Sequence, residues 1–300
     1  MIIDMHLHIF PAFIASPHRR GVVSLNYGQV RSGDRVIQLM PPSFERSSSP
    51  PEVALGYMDM CGVDRALLTQ GPFYGLHNDY VAQAVYRWPD RFSGLAMYNP
   101  FLGSRGADDL ERWMTEAGFV GIKLEVPGTL GIWPGLQLLG DTEMRVWERC
   151  AKLNGLLMLH LNPGAGECSQ VERLVEAFPT LRIVICHLGM APAEGWQDQV
   201  RLARHEHVYL EISALPYQFH RQEEYPYPSA QRVLEWAVRE VGAHKIMWGS
   251  DYPTVLTENT YGQLLNFVRT NCPFLTPEER AFILGGTAER LLAQVGGVSR

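Results

Sequence analysis

Residues 2–9, Ile2-Ile3-Asp4-Met5-His6-Leu7-His8-Ile9, constrain the chain more than any other stretch. Apolar and polar residues alternate, with Ile3, Met5, Leu7 and Ile9 on one side and Asp4, His6 and His8 on the other. Such alternation marks a β-strand, whose successive side chains point to opposite faces. One face is then wholly apolar and must be covered, while the other carries a carboxylate and two imidazoles. At the usual strand rise His6 and His8 stand roughly 6–7 Å apart, so both rings can converge on one ion beyond the strand end. A solvent-facing polar edge would show the same pattern. A fully apolar opposite face on the strand that opens the chain argues for burial instead, and neutral imidazole is the commonest metal ligand.

Seven further short apolar or β-branched runs follow, at 65–70, 92–98, 119–125, 155–160, 181–187, 207–213 and 245–251. Helical patterns lie between them, at 49–61, 78–88, 107–117, 141–152, 169–178, 192–205, 229–241 and 258–270, with a last one from Thr276. Their punctuation is readable. Ser49-Pro50 suits a helix start and Gly62 a left-handed stop. Asp141 can cap, and Ser169 with Glu172, like Thr276 with Glu279, has capping-box spacing. Strand then helix, repeated at roughly 30 residues per unit, predicts an α/β fold of the (β/α)8 TIM-barrel type, one domain over 1–300. A doubly wound open sheet would bring a Gly-rich turn after its first strand, and none follows Ile9. The 46% hydrophobic content is enough to fill such a core.

Two connections exceed ordinary barrel loops: 10–48, with Arg19, Arg31, Arg35 and Arg46, and 214–228, rich in Tyr and Pro. Each follows the C-terminal end of a strand, the face on which barrel sites are built, and each is read as a lid. The net charge of −6 argues against nucleic acid and against an anionic membrane surface. No apolar run resembles a signal peptide or a membrane span. The five cysteines are scattered, with no C-x-x-C, which suits core thiols in a reducing cytoplasm.

Polar residues fall at strand ends. The first predicted strand ends with His6 and His8, the fifth with His160, the sixth with His187 and the eighth with Asp251. Histidine and carboxylate ligands without thiolates suit Zn²⁺, with Mn²⁺ or Fe²⁺ as alternatives. Asp4, one layer deeper, is expected to orient a histidine or to make a buried structural hydrogen bond. Lys123 and Glu125 share a face of the fourth strand and suit an ion pair. Trp133, in the connection after that strand, is a candidate apolar wall, and His220 in 214–228 a candidate substrate contact. His18 and His77 lie in loops on the same side. His205 and His207 read as solvated, and Cys186 and Trp248 as outward-facing core.

H-x-H on the first strand, single histidines ending the fifth and sixth, and Gly249-Ser250-Asp251-Tyr252-Pro253 ending the eighth resemble the amidohydrolase superfamily, in its amidohydrolase 2 branch. His187-Leu188-Gly189 and Gly286-Thr287-Ala288-Glu289-Arg290-Leu291-Leu292 are similar to that branch's pattern. The resemblance spans the chain. It implies one divalent metal held by His6, His8 and His160, with Asp251 as a ligand or bonded to the metal's water. His187 lies beside them as base or polariser. Lys123 stands where binuclear relatives carry a carboxylated lysine, against the simpler role of neutralising a substrate carboxylate.

Two chemistries are implied: hydrolysis of a small carboxylated lactone, ester or amide, or non-oxidative decarboxylation of an aromatic or unsaturated acid. Either would use a cation for a substrate carboxylate, with Arg19 and Arg46 as candidates. His160-Leu161-Asn162-Pro163-Gly164 and Gln170-Val171 resemble lactone-hydrolysing relatives more than decarboxylases, which leans to the hydrolase. A barrel that only binds a small ligand is the reading from another class, and the complete His and Asp set argues against it. A homodimer or homotetramer is the assembly the family implies.

Overall fold

The computed structural model describes residues 1–13, 22–126 and 136–296, so Arg19, Trp133 and His18 lie outside the described residues. The strands in chain order are β1 (Ile3–His8), β2 (Val22–Ser24), β3 (Gln29–Ser32), β4 (Arg35–Gln38), β5 (Arg65–Thr69), β6 (Phe92–Met97), β7 (Gly121–Glu125), β8 (Leu156–His160), β9 (Arg182–Ile185), β10 (Val208–Glu211) and β11 (Ile246–Met247). Eight of them form one sheet in the order β1-β5-β6-β7-β8-β9-β10-β11, with every paired neighbour parallel. The ends meet where Met5 N donates to Trp248 O (3.0 Å), Asp251 N to His6 O (2.8 Å) and His8 N to Tyr252 O (2.9 Å). This is the TIM barrel the strand–helix repeat predicts.

The register sorts the core. Ile3, Met5, Leu67, Leu95, Leu156, Met158, Val184 and Met247 fill the barrel floor, closed beneath by Ala288 and Leu291 of helix Thr287–Gln294. Residues of opposite parity, such as Leu68, Ile122, Leu157 and Ile183, pack outward against the helices. Cys186 is a correction: it joins the floor cluster and does not face the helix layer, because it shares the parity of Val184. Trp248 does face outward, its Nε1 donating to Leu264 O in helix Tyr261–Arg269.

Strict alternation fails in β1. Asp4 pairs with Ala66 and Leu7 with Leu68, so two residues, Met5 and His6, lie opposite Leu67 alone. This is a β-bulge, which turns the parity of everything after it. Ile3 and Met5 thus reach the floor, His6 and His8 the mouth, and Asp4 the outer side. The bulge leaves the His6 amide without a ladder partner, and Asp4 Oδ1 accepts it at 3.0 Å. The same oxygen accepts from Ser250 N (2.8 Å), and Oδ2 from the Tyr261 hydroxyl (2.8 Å). Asp4 therefore supports His6 through its backbone and orients no imidazole ring; of the two expected roles, it has the buried structural hydrogen bond.

Helix starts differ in detail. Helix Pro51–Cys61 is preceded by Pro50 and ends at Gly62 with φ 73°, while Ser49 Oγ donates to His8 O instead of capping. Helix Asp141–Lys152 begins on Asp141 itself, and helix Cys168–Ala177 starts one residue before Ser169, so neither predicted cap forms. The Thr276 capping box does form. The pattern at 192–205 shortens to helix Trp196–Arg201 and a 3-10 turn at Leu202–Arg204, after a left-handed turn at His187–Met190.

The 10–48 connection carries structure that a plain loop would lack: β2, β3 and β4 form an antiparallel sheet. Its turns hold Tyr27, Gly28 and Gly33 at positive φ, the conformation that hairpin turns require. No helix among the described residues is long and apolar enough to cross a membrane.

Burial raises the Asp4 carboxyl from its ordinary 3.8 to about 6, even with three donors around it. The folded chain then binds the proton more tightly than the unfolded one, so this group's stability contribution falls as pH rises from 4 to 6 and is level above. Asp4→Asn keeps an acceptor oxygen and should remove that slope relative to wild type in urea titrations across pH 4–7. Asp4→Ala orphans two buried amides and should cost about 1–3 kcal/mol; an unchanged urea midpoint would show that the clasp carries nothing.

Candidate active site

The strand ends on the C-terminal face surround a cavity of about 190 Å³ whose polar lining includes His6, His8, Lys123, His160, His187 and Asp251. Leu39, Phe73 and Tyr74 line its apolar side. Each polar residue arrives for a backbone reason. His8 pairs with Thr69 in register, and Lys123 and Glu125 alternate inward on β7. His187 and Asp251 follow the ends of β9 and β11 at φ 56° and 65°. Left-handed backbone is costly for residues with a Cβ and clusters at functional sites.

The proton positions follow from the acceptors. His8 Nδ1 faces Thr69 O at 3.1 Å, His6 Nδ1 faces Glu211 Oε1 at 3.0 Å, and His187 Nδ1 faces Ser213 O at 3.1 Å. A carbonyl or carboxylate oxygen only accepts, so each of these rings carries a proton on Nδ1, and the neutral rings of His6 and His8 leave Nε2 bare. His6 Nε2 and His8 Nε2 lie 3.1 Å apart, and Asp251 Oδ1 stands 3.5 and 3.2 Å from them. Three lone pairs thus converge, and Lys123 Nζ, 3.0 Å from His6 Nε2, is the cation beside them.

The charges agree with that arrangement. Burial first, and the Lys123 cation second, holds His6 and His8 below the ordinary imidazole range. Burial, then His187 and Lys123, does the same for His160. Burial alone would push the Asp251 carboxyl up. Contact with His8 and the imidazoles of His6 and His187 outweigh it and hold the group well below the usual carboxylate range. Burial raises Glu125, with Lys123, 3.7 Å away, opposing it.

Neutral imidazoles and an ionised carboxylate are the donor set a divalent cation needs. His6, His8 and Asp251 can hold one with their ligand atoms within 4.8 Å of each other. His160 lines the same cavity but is outside that group. Its ring lies edge-on to His187 at 4.5 Å between centroids, and its Nε2 is buried with no hydrogen-bond partner among the described residues. An orphaned imidazole nitrogen in a polar cavity fits a ligand position better than a structural one.

The substrate-side expectations fare less evenly. Lys123 lines the cavity; Arg19 and Trp133 lie outside the described residues. Arg46 is exposed beside a separate surface groove with Phe44 and Tyr57, because the turn around it is pinned by Ser47, whose Oγ accepts from Gly28 N at 3.0 Å. His220 stacks on Tyr217 and points toward Glu258 at 3.9 Å, since the helical turn Leu215–Phe219 carries it off the cavity wall. His77 is buried against Tyr74 O (2.9 Å).

Sequence reasoning missed Glu211 and Ser213. Glu211 is fully buried, and its carboxylate touches His6 Nδ1, His187 N and both donors of Ser213. The signal was present: with Tyr209, they make the inward series of the seventh barrel strand, read only as a strand.

The sequence matches the amidohydrolase 2 family model, described as Amidohydrolase, over residues 3–294. The chain belongs to the amidohydrolase family. No curated protein sequence matches it significantly. Among solved structures, this amidohydrolase is similar to a probable 2-pyrone-4,6-dicarboxylic acid hydrolase from Acinetobacter baumannii with citric acid bound, at 19% identity and TM-score 0.70, covering 97% of this chain and 99% of the other. It is also similar to 2,6-dihydroxybenzoate decarboxylase from Rhizobium, at 16% identity and TM-score 0.66, with 97% and 98% covered. A zinc-bound amidohydrolase from Burkholderia multivorans aligns at 16% identity and TM-score 0.73, with 98% and 99% covered. At these identities the likeness shows the fold.

Close approach is built into the mouth at Gly249. A Cβ there would lie 3.0 Å from His6 Cβ and 3.1 Å from Glu211 Oε2. Gly249→Ala should therefore destabilise the protein by about 1–3 kcal/mol, the usual cost of overpacking. Chemical denaturation checks this, and a midpoint equal to wild type would mean that the site has slack.

Proposed function

We propose that this amidohydrolase is a metal-dependent hydrolase of a small carboxylate-bearing lactone, ester or amide. The observation that carries the reading is the convergence of bare His6 Nε2, His8 Nε2 and Asp251 Oδ1 within 3.1–3.5 Å. Lone pairs packed that closely repel one another unless positive charge stands against them, as the Lys123 ammonium does at His6 Nε2 and a divalent cation would for all three. His6, His8 and Asp251 would hold one divalent cation, Zn²⁺ first, with Mn²⁺ or Fe²⁺ as alternatives, and the free Nε2 of His160 would complete the set. When bound, such an ion supplies Lewis acidity toward a carbonyl oxygen and toward water.

The chain's own residues supply the proton path. Asp251, ionised and partly exposed, takes a proton from the attacking water as the new C–O bond forms at the carbonyl carbon. It returns that proton to the leaving oxygen or nitrogen as the scissile bond breaks. His187, with a proton held on Nδ1 by Ser213 O, turns Nε2 toward the same space and would share the work of orienting that water. Lys123 is the only Lys or Arg among the described lining residues, and in this reading it would meet the substrate carboxylate. Leu39, Phe73 and Tyr74 offer a wall for a flat, unsaturated skeleton. Leu39 comes from the 10–48 connection, in keeping with a lid.

Decarboxylation of an aromatic acid is the second reading, supported by the same aromatic wall beside a lone cation. It needs an acid to protonate the carbon that loses CO₂. The imidazoles of His6, His8 and His160 are held neutral and Asp251 ionised, which favours hydrolysis, while Glu125, raised by burial in the same lining, is the candidate acid for the second reaction.

Purified protein stripped with a chelator should take up about one equivalent of zinc or manganese per chain and gain thermal stability. No uptake and an unchanged melting temperature would sink the metalloenzyme reading. Asp251→Asn should lower kcat by at least 100-fold. A lactone panel followed by proton release and an aromatic-acid panel followed by CO₂ would separate the two reactions; turnover confined to the second would replace the hydrolase by a lyase.

A further inference from the structure

We propose that Glu211 is a positioning residue that fixes the tautomer of His6 and the placement of His187, so that both imidazoles turn Nε2 toward the cavity. The proposal rests on the metal-site reading above, but it concerns this chain's own hydrogen bonds.

The geometry is one carboxylate shared by three barrel elements. Oε1 accepts from His6 Nδ1 of β1 (3.0 Å), from the His187 amide just past β9 (2.9 Å) and from Ser213 Oγ just past β10 (2.9 Å). Oε2 accepts from Ser213 N at 2.6 Å, and the Cys186 thiol is also hydrogen-bonded to this carboxylate. Glu211 is fully buried, and among the described residues it has no Lys or Arg ion pair. A buried carboxylate without a cationic partner is tolerated only when donors saturate it. Here donors from three strand ends do so.

The consequence for His6 is specific. Its two ring nitrogens face different worlds: Nδ1 the carboxylate, Nε2 the convergence with His8, Asp251 and the Lys123 ammonium. Without that acceptor only the Ser213 hydroxyl at Nδ1 and the Lys123 ammonium at Nε2 would oppose a move of the proton to Nε2, where it would be donated to Asp251 and close the site to a cation. The same oxygen holds the His187 amide in its left-handed turn, and Ser213 Oγ bridges His6 Nδ1 (3.0 Å) and His187 Nδ1 (2.9 Å). One side chain thus sets both imidazoles at once.

The test is long-range ¹H–¹⁵N spectroscopy of metal-free, ¹⁵N-histidine-labelled protein, with His6 assigned by the signal lost in His6→Gln. Wild type should show His6 protonated on Nδ1. In Glu211→Gln that preference should be lost, and zinc affinity, read by competition with a chromophoric chelator, should fall about 10–100-fold. Asp251→Asn should keep the Nδ1 tautomer. A wild-type His6 protonated on Nε2 would overturn the proposal even where Glu211→Gln does not fold. A folded Glu211→Gln with the Nδ1 tautomer and full zinc affinity would overturn it as well. Absence of zinc binding in wild type would instead remove the metal reading, while the tautomer measurement would still decide the part played by Glu211.

Discussion

The extra residue at Met5–His6 lets a single strand serve three surfaces. Before the bulge, β1 sends Ile3 to the barrel floor and Asp4 outward; at it, Met5 seals the floor; beyond it, His6 and His8 face the mouth. A regular strand cannot do this, because side chains of one parity share one face. The bulge leaves an amide without a partner, and Asp4 takes it while also reaching Ser250 and Tyr261 across the seam where the barrel closes. The placement of the metal-site candidates therefore depends on a hydrogen bond made on the other side of the sheet.

From there the site is a problem of proton placement. Buried imidazoles are useful as ligands or bases only when their protons are committed elsewhere. Thr69 O, Glu211 and Ser213 O commit them. Left-handed residues His187 and Asp251 then turn the chain sharply after short strands, so that an imidazole and a carboxylate look back across the mouth. Such conformations persist because the surrounding bonds over-determine them.

The (β/α)8 barrel was legible because the strand–helix repeat and the apolar runs report burial that any packing of those elements must satisfy. The cavity residues His6, His8, His160, His187, Lys123 and Asp251 were legible because barrel sites form at strand ends, and each of these ends a strand or nearly does. Arg46 and His220 were misplaced because a loop sequence does not say which way its side chains face. Ser47 pins one away from the cavity and a helical turn carries off the other. Cys186 was assigned to the wrong face because its parity becomes visible only against its neighbours' register.

By itself, the order of residues determined the strands, their succession and the chemical types delivered to one face, since periodicity and composition are local properties. Tertiary structure decided the rest. It put a bulge where the letters show unbroken alternation, moved Asp4 from beside the imidazoles to behind the sheet, and made Glu211 the shared acceptor of His6 and His187. Those outcomes depend on hydrogen bonds between residues as many as 257 positions apart, and no local pattern encodes a partner that distant.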